Sequence, residues 1–280
     1  MRAGGILLAS ALALAAPAAR AQKPRPAPES ALTALRLVAG GGAVSRHFDY
    51  TDDLFAALRN YELDAAPLLF LRADWYPLAH DSDGDLANLG LLGAYEHVFP
   101  PASLTRDGRR FDTNANGFFL GLRGRVPIDG HELGLVGGYG QQRFEVAGDE
   151  AAPLLPDVSY EFLRIGAEVE LRLSEFRFGL DLGKRFILGT GELESDAWFP
   201  HVTPDGVDLR AFVGHAVTRE IDLIAGVQLT RYFFAMNPQP DDLRIAGGAV
   251  DQYLSGWAAV AWRLPGSTGS RAPKTDDEGD

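Results

Sequence analysis

Residues 158–188 read VSYEFLRIGAEVELRLSEFRFGLDLGKRFIL, and this stretch decides the fold. From Leu163 to Leu173 every second residue is apolar, and the residues between them are charged or glycine. After Ser174-Glu175 the apolar residues move from odd to even positions, which a two-residue hairpin loop requires if both strands keep one apolar face. Alternation over about ten residues matches a tilted strand that crosses a bilayer. The stretch therefore predicts a transmembrane β-hairpin with lipid on one face and a charged interior on the other.

Length and composition limit the class of protein. The 280 residues are sufficient for one all-β barrel domain. The net charge of −12 argues against a nucleic-acid partner. The sequence has no cysteine, so disulfides, thiolate metal sites and a lipid-modified cysteine anchor are excluded. No cofactor is expected.

Residues 1–21 predict a secretory signal peptide. Arg2 is the positive residue, Ile6 to Ala16 form the apolar run, and Ala19-Arg20-Ala21 has the small residues of a cleavage site. An uncleaved anchor is the alternative, although the apolar run is short for a membrane helix. We therefore expect the chain to be exported.

Two tails flank the repeating pattern. Residues 22–33 predict a Pro-rich periplasmic tether, and residues 265–280 predict a disordered acidic tail. The region between them, 34–264, is assigned to a single β-barrel in the outer membrane.

Alternation recurs throughout this region and predicts an antiparallel up-and-down transmembrane β-barrel. About ten strands are expected, with eight or twelve as alternatives because strand boundaries are hard to fix from sequence. The predicted strands are 34–48, 66–76, 87–98, 117–127, 131–145, the two strands of 158–188, 206–217, 221–235 and 248–264.

The connections alternate between short and long. Tight turns are predicted at 127–130, 174–175 and 218–220, with a slightly longer one at 77–85. Short periplasmic turns and longer external loops are typical of outer-membrane barrels, so both termini are expected in the periplasm. The long connections are 49–65, 99–116, 146–157, 188–205 and 236–247.

Two of these connections carry further patterns. Asp81 to Asp85 read DSDGD, but Leu86 and Leu92 replace the glycine and glutamate of a calcium loop, so a plain turn is expected. In 51–63 the apolar residues have helical spacing, which predicts a short rim helix, with a continued hairpin as the alternative.

Aromatic residues cluster near predicted strand ends, where interfacial girdles of a membrane barrel belong. Strand formation alone is the alternative reason for their position. The residues are Trp75, Tyr76, Phe118, Phe119, Phe176, Phe178, Tyr232, Phe233, Phe234 and Trp262.

The final predicted strand has an alternating apolar face that includes Leu254, Val260, Trp262 and Leu264. This face resembles the C-terminal insertion strand of bacterial outer-membrane barrels, although many members stop at a terminal aromatic and this chain continues. The strand and loop layout of 34–264 resembles that class as a whole. The resemblance implies the cell outer membrane as location. It also implies outer-membrane lipid and, through the final strand, the barrel assembly machinery as partners. It names no activity.

The polar face predicts a lumen that carries both signs of charge. Unpaired buried charge is costly, so we expect a network of ion pairs that plugs the lumen. A selective pore would show one dominant sign at a constriction. The same face also carries Arg36, Glu132, Asp222, Asp251 and Arg263. The residues assigned to the network are Arg72, Asp74, Arg123, Arg125, Arg164, Glu168, Glu170, Arg172, Arg177, Asp181, Arg185, Asp208 and Arg210.

The resulting hypothesis is a monomeric barrel with a structural, surface-interaction or small-solute passage role, whose further partner is a small solute or a surface ligand. One alternative is a soluble periplasmic barrel with its apolar face inward around a ligand. Another is a rim hydrolase that uses His47 with Asp49, or His201 with Asp205. Neither neighbourhood matches a family motif, and the six histidines show no ligand-spaced pair, so no catalytic or metal site is expected.

The direction of side chains also predicts how substitutions act. Val169 and Leu180 are expected to face lipid, where a charge would block assembly. Gly166 and Gly179 are expected to face the lumen and to tolerate polar replacement.

Overall fold

The computed structural model describes residues 33–56, 58–82, 84–99, 103–104, 110–111, 113–146 and 156–266. The predicted signal peptide, most of the predicted tether, the acidic tail beyond Gly266 and Asp83 lie outside these residues. Across the described part of the chain, no helix has both the length and the apolar character to span a bilayer.

Ten antiparallel strands form one closed barrel, as the alternation predicts. Neighbours in the sheet are β1, β12, β11, β10, β9, β8, β7, β6, β3 and β2, and β4 and β5 form a separate short hairpin. The bounds are β1 Thr33–Thr51, β2 Tyr61–Trp75, β3 Leu89–Val98, β4 Ser103–Leu104, β5 Arg110–Phe111, β6 Thr113–Ile128, β7 His131–Val146, β8 Val158–Leu173, β9 Phe176–Gly191, β10 Thr203–Ala216, β11 Ile221–Ala235 and β12 Gly248–Pro265.

The first and last strands close the barrel. Strand β1 pairs with β12 from Thr33 opposite Pro265 to Thr51 opposite Gly248, with one irregularity between Thr33 and Leu35. Both ends of the barrel domain therefore lie at one rim, which also carries the short turns. We call this rim the short-turn end and the opposite rim the long-loop end.

The apolar faces of the strands point outward and the charged faces point inward. In β8, Leu163 is 47% exposed and Ile165 is 62% exposed. Arg164 and Glu170, at alternate positions of the same strand, are each 7% exposed. The strand pattern continues in β9, where Leu182 is 54% exposed. The alternative of a soluble barrel with its apolar face inward is therefore wrong.

Tight turns occur where the sequence predicts them. Asp129 and Gly130 have φ values of 47° and 83° between β6 and β7, which matches the two left-handed positions of a type I′ hairpin turn. Leu173 is opposite Phe176 across the Ser174-Glu175 turn. The parity switch in the sequence is thus the direct consequence of this two-residue loop.

The connection between β2 and β3 is more than the plain turn expected for it. It contains two short 3-10 helices, Pro77–His80 and Asp85–Asn88. Tyr76, Ala79 and Ala87 are buried in it and form a small apolar cluster with Ala34 of β1. This connection, which we call the β2–β3 cap, packs against the start of β1 at the short-turn end.

The rim helix predicted in 51–63 is wrong. Residues 52–56 and 58–60 form turns and irregular backbone, and the hairpin continues upward because β1 and β2 extend to Thr51 and Tyr61. The Asp53 carboxylate accepts hydrogen bonds from the backbone N–H groups of Phe55 at 3.2 Å and Leu58 at 2.8 Å. Leu54 is 69% exposed, whereas Leu58 and Tyr61 pack against apolar side chains inside the barrel.

The interior at the long-loop end is an apolar core, which the sequence did not predict. The connection between β9 and β10 folds into it with Leu193, Trp198 and Phe199, all at most 2% exposed. The girdle expectation is therefore wrong for Phe119, Tyr232 and Phe234, which pack in this core, and for Tyr76 in the β2–β3 cap. Outward aromatic residues do occur at Trp75, Phe118, Phe176, Phe178, Phe233 and Trp262.

The glycines expected to tolerate replacement are crowded. A Cβ on Gly179 would collide with the Phe212 ring, and one on Gly166 would lie 2.6 Å from Arg164 Nη1 and 2.9 Å from Leu182 O. Facing the lumen does not mean facing free space, because side chains from other strands already fill it.

Candidate functional site

Inward positions on all sides of the barrel place the charged side chains in one enclosed space. Strands β8 and β9 contribute seven of the thirteen residues predicted for the network, because their inward positions carry mainly Arg, Glu, Asp and Gly. The ion pairs between the predicted network residues form three groups, which follow one another along the barrel towards the short-turn end.

The first group is the Asp208 cluster, which consists of Arg164, Asp181, Arg185 and Asp208. Arg164 donates to both oxygens of Asp208 at 3.0 Å from Nε, and from Nη2 to Asp181 Oδ1 at 2.6 Å. Arg185 Nε donates to Asp208 Oδ2 at 2.8 Å. Two guanidinium groups thus face two carboxylates, and all four side chains are at most 13% exposed.

The second group is the Glu168 cluster, which consists of Arg72, Asp74, Arg123, Glu132 and Glu168. Glu168 accepts from Arg72 Nη2 at 2.8 Å and from Arg123 Nε at 2.6 Å. Arg72 also donates to Asp74 at 2.9 Å, and Arg123 donates to Glu132 at 2.7 Å. This cluster connects β2, β6, β7 and β8 across the interior.

The third group is the Glu170 cluster at the short-turn end. It combines the side chains of five strands around two carboxylates, Glu170 and Asp222. Asp222 is 0% exposed and Glu170 is 7% exposed. The members of the cluster are Arg36, Glu170, Arg172, Arg177, Asp222 and Arg263.

Arg125 and Arg210 are the predicted network residues that contact no carboxylate within the described parts of the chain. Arg125 lies 3.6 Å from the centre of the Tyr76 ring and donates to Thr33 O at 2.7 Å, which anchors the β2–β3 cap. Arg210 donates to Gln228 Oε1 at 2.8 and 3.0 Å. All the other predicted network residues take part in ion pairs.

The β2–β3 cap is also tied to the charged interior. Arg123 donates a hydrogen bond to the Tyr76 hydroxyl. Burial raises the pKa of Tyr76 to about 12, so this hydroxyl stays protonated at neutral pH. The cap is thus held by Arg123 and Arg125 from β6.

Sequence reasoning missed a buried ion pair at the long-loop end. Arg46 donates to both oxygens of Asp251 at 2.9 and 2.8 Å, and Tyr160 donates to Asp251 Oδ2 at 2.6 Å. The Arg46 guanidinium also lies 4.0 Å from the centre of the Phe144 ring. The signal was present, because Arg46 shares its even parity in β1 with Arg36.

Glu96 was missed as well. It lies on β3, where polar and apolar residues do not alternate cleanly, and it borders two internal cavities together with Gln142 and Gln228. The volumes of these cavities are about 100 Å³ and about 30 Å³. A third cavity, of about 40 Å³, shares Arg72 and Arg210 with the larger one. Such spaces hold a few water molecules.

The residues of the hydrolase alternative pair with other groups. His47 Nε2 lies 3.2 Å from Glu62 Oε1, and His201 Nε2 lies 3.7 Å from Asp242 Oδ1. Asp205 forms an ion pair with Lys184. The described residues contain no group of three His, Asp or Glu side chains arranged to hold a metal.

No family model matches the sequence, and no curated protein matches it either. Among solved structures, the outer membrane protease OmpT from Escherichia coli is similar with a TM-score of 0.50 and 12% identity, over 82% of this chain and 96% of that one. The translocator domain of the autotransporter NalP from Neisseria meningitidis gives 0.38 and 12%, over 83% and 89%. Neisserial surface protein A gives 0.33 and 11%, over 83% and 98%. The chain is a closed ten-stranded barrel similar to the bacterial outer-membrane β-barrel proteins.

Proposed function

We propose that the protein is an integral barrel of the bacterial outer membrane whose lumen is closed at rest. Its role is structural or in interaction at the cell surface, and any passage is limited to water and very small solutes. The single observation that carries this proposal is the inverted wall, with apolar side chains outside and ion pairs inside.

The outer wall supports the membrane location. Leu120 and Leu122 in β6, Leu135 in β7 and Ile165 in β8 are each at least 62% exposed and lie on adjacent strands. Soluble monomers rarely expose contiguous apolar patches larger than a few hundred Å². A wall of this kind all around a barrel is stable when hydrocarbon surrounds it.

The filling of the lumen supports the closed state. The apolar core closes the long-loop end, the Asp208 and Glu168 clusters bridge the middle, and the β2–β3 cap covers part of the short-turn end. The cavities between them are each of about 100 Å³ or less. A hydrated ion needs a continuous polar path, and paired side chains interrupt it.

Location is tested by fractionation of cells that produce the full chain. We expect the protein in the outer-membrane fraction, with release only by detergent. Release by carbonate or urea washes would contradict the membrane location. Mass spectrometry of the purified protein should give a mature N-terminus at Gln22, as cleavage after Ala21 requires.

Closure is tested by conductance in planar bilayers. The purified protein should show no conductance or small, irregular steps with slight ion selectivity. A large and steady conductance would contradict the closed lumen and would indicate an open, porin-like barrel.

Two partner proposals follow from the wall. Outer-membrane lipid covers the apolar face, and the final strand β12, with Leu254, Val260 and Trp262 exposed outward, is the segment that the barrel assembly machinery would bind. Replacement of these three residues by Ser should reduce assembly and leave export unchanged, as measured by the ratio of membrane-inserted to periplasmic protein.

A further inference from the structure

The Glu170 cluster has more positive than negative charge. Its four guanidinium groups, from Arg36, Arg172, Arg177 and Arg263, face the two carboxylates of Glu170 and Asp222. With one charge per group, the cluster carries two uncompensated positive charges.

Glu170 uses both of its oxygens and Asp222 uses Oδ1, whereas the buried Oδ2 of Asp222 has no hydrogen-bond partner among the described residues. Glu170 Oε1 accepts from Arg172 at 3.1 Å and from Arg177 at 3.0 Å, and Oε2 accepts from Arg36 at 3.0 Å. Asp222 Oδ1 accepts from Arg263 Nη2 at 2.8 Å, and Oδ2 lies 3.3 Å from Arg177 Nε. Together the two carboxylates carry two negative charges, which is half of the positive charge of the four guanidinium groups.

The next carboxylate does not remove the excess. Glu132 Oε2 lies 3.9 Å from Arg172 Nη2, but Oε1 of the same group is 2.7 Å from Arg123 and belongs to the Glu168 cluster. Arg36, Arg172 and Arg177 all contact Glu170, and Arg177 and Arg263 both contact Asp222. The positive charges therefore concentrate at one place.

This excess is specific to the short-turn end. The Asp208 cluster has two arginines and two aspartates, the Arg46 and Asp251 pair is balanced, and the Glu168 cluster has more carboxylates than arginines. Among the groups of ion pairs inside the described barrel, this is the one in which arginines outnumber carboxylates, and its positive excess needs a separate cause.

We propose that the Glu170 cluster is a binding site for an oxyanion with two negative charges, of the phosphate class. Guanidinium groups present donors in a planar fork that matches phosphate oxygens. Within the described parts of the chain, the buried Nε atoms of Arg36, Arg177 and Arg263 have no hydrogen-bond partner, so the hydrogen bonding of these side chains is incomplete. A dianion brings the net charge of the cluster to zero.

The site is reached from the short-turn end. Arg172 is two residues from the Ser174-Glu175 turn and its side chain is 30% exposed, the largest value in the cluster. Arg36 and Arg263 lie near the two ends of the barrel domain, at the start of β1 and the end of β12, which meet at this rim. Binding here needs no passage through the lumen, so the proposal does not depend on whether the barrel conducts.

Isothermal titration calorimetry of the purified full chain in a nonionic detergent tests the site, with inorganic phosphate as the probe at constant ionic strength. We expect saturable binding that sulfate displaces and that nitrate, a monoanion, does not displace at the same concentration. Arg36→Gln and Arg172→Gln should each weaken phosphate binding by at least about tenfold, the value of a charge-assisted hydrogen bond. In each variant Glu170 keeps two arginine partners.

Arg210→Gln is the matched control, because Arg210 is a lumen arginine whose contacts within the described residues are to neutral side chains, Gln228 and the Trp257 ring. It should leave phosphate affinity unchanged. An equal loss in Arg210→Gln would show that the overall lumen charge and not this cluster attracts the anion. Absence of saturable binding to the unmodified protein would also overturn the proposal.

Discussion

Arg46 and Asp251 show how a full charge is kept inside the apolar core. Their side chains are 4% and 0% exposed, and Tyr160 and Tyr253 donate to the same carboxylate. Removal of one partner of such a pair leaves an uncompensated charge, whereas removal of both often costs little.

Arg46→Met should therefore destabilise the barrel by about 3–5 kcal/mol. The double variant Arg46→Met with Asp251→Leu should be less destabilised than the single one. Urea unfolding in detergent micelles measures both values. If the losses of unfolding free energy from the two single substitutions simply add in the double variant, the interaction between Arg46 and Asp251 contributes nothing to stability.

Gly179 is the residue at which the interior leaves least room. Gly179→Ala should cost about 1–3 kcal/mol because its Cβ would enter the Phe212 ring. Phe212→Leu in the same chain should recover part of the loss. Gly256→Ala is the control, since no atom lies within 4 Å of its Cβ position. Equal effects at Gly179 and Gly256 in thermal unfolding would mean that the loss of glycine itself is responsible.

The alternation of residue types predicted which side of the wall each side chain faces, as Leu163 and Arg164 show. It did not predict what each inward side chain meets, because the partners lie on strands distant in sequence. Arg46 and Asp251 are 205 positions apart, and Phe212 meets Gly179 because the register of β9 and β10 places the two residues opposite each other.

At the scale of elements, the β8–β9 hairpin carries the test of the membrane face. Leu180→Arg should block assembly or cost roughly 2–4 kcal/mol, because Leu180 lies within the outward apolar face of β9. Leu173→Arg, next to the turn, should cost roughly 0–1 kcal/mol because it lies near the interface. Heat modifiability on gels and urea unfolding report the two effects. If arginine is tolerated equally at positions 180 and 173, the middle of the bilayer does not lie at Leu180.

Elements whose conformation is determined by neighbouring residues were predictable from the sequence. Elements that depend on contacts with residues far along the chain were not. The Ser174-Glu175 turn follows from the parity switch beside it. The β2–β3 cap depends on Arg125 of β6, which lies far along the chain from Tyr76. Tyr232 is of a residue type that is common in interfacial girdles, but it stacks on Tyr160 inside the barrel, with ring centres 3.8 Å apart.

At the scale of the whole molecule, the paired interior should control leakage. Arg164→Ala with Arg177→Ala removes the partner that Asp181 has in the Asp208 cluster and lowers the positive charge near Asp222. The double variant should conduct more than the unmodified protein and should prefer cations. Reversal potentials in a salt gradient across a planar bilayer measure the preference. An unchanged conductance would mean that the apolar core alone closes the barrel.

Much of the candidate site was predictable because charge on a lumen face has to be paired, and most of the assigned residues are found in ion pairs. The groups into which they divide were not predictable. Glu170 pairs with three arginines and Asp208 with two, and pairs such as Arg36 with Glu170 join residues 134 positions apart.

The pairing of β1 with β12 has a consequence for the order of events during biogenesis. Strand β1 is synthesised first, yet one of its two edges has no partner until Gly248 to Pro265 have been made. Contacts between such distant segments form slowly because a long loop must close first. A nascent or truncated chain that lacks β12 therefore has two unpaired edges open to other chains, and only the complete chain can close on itself.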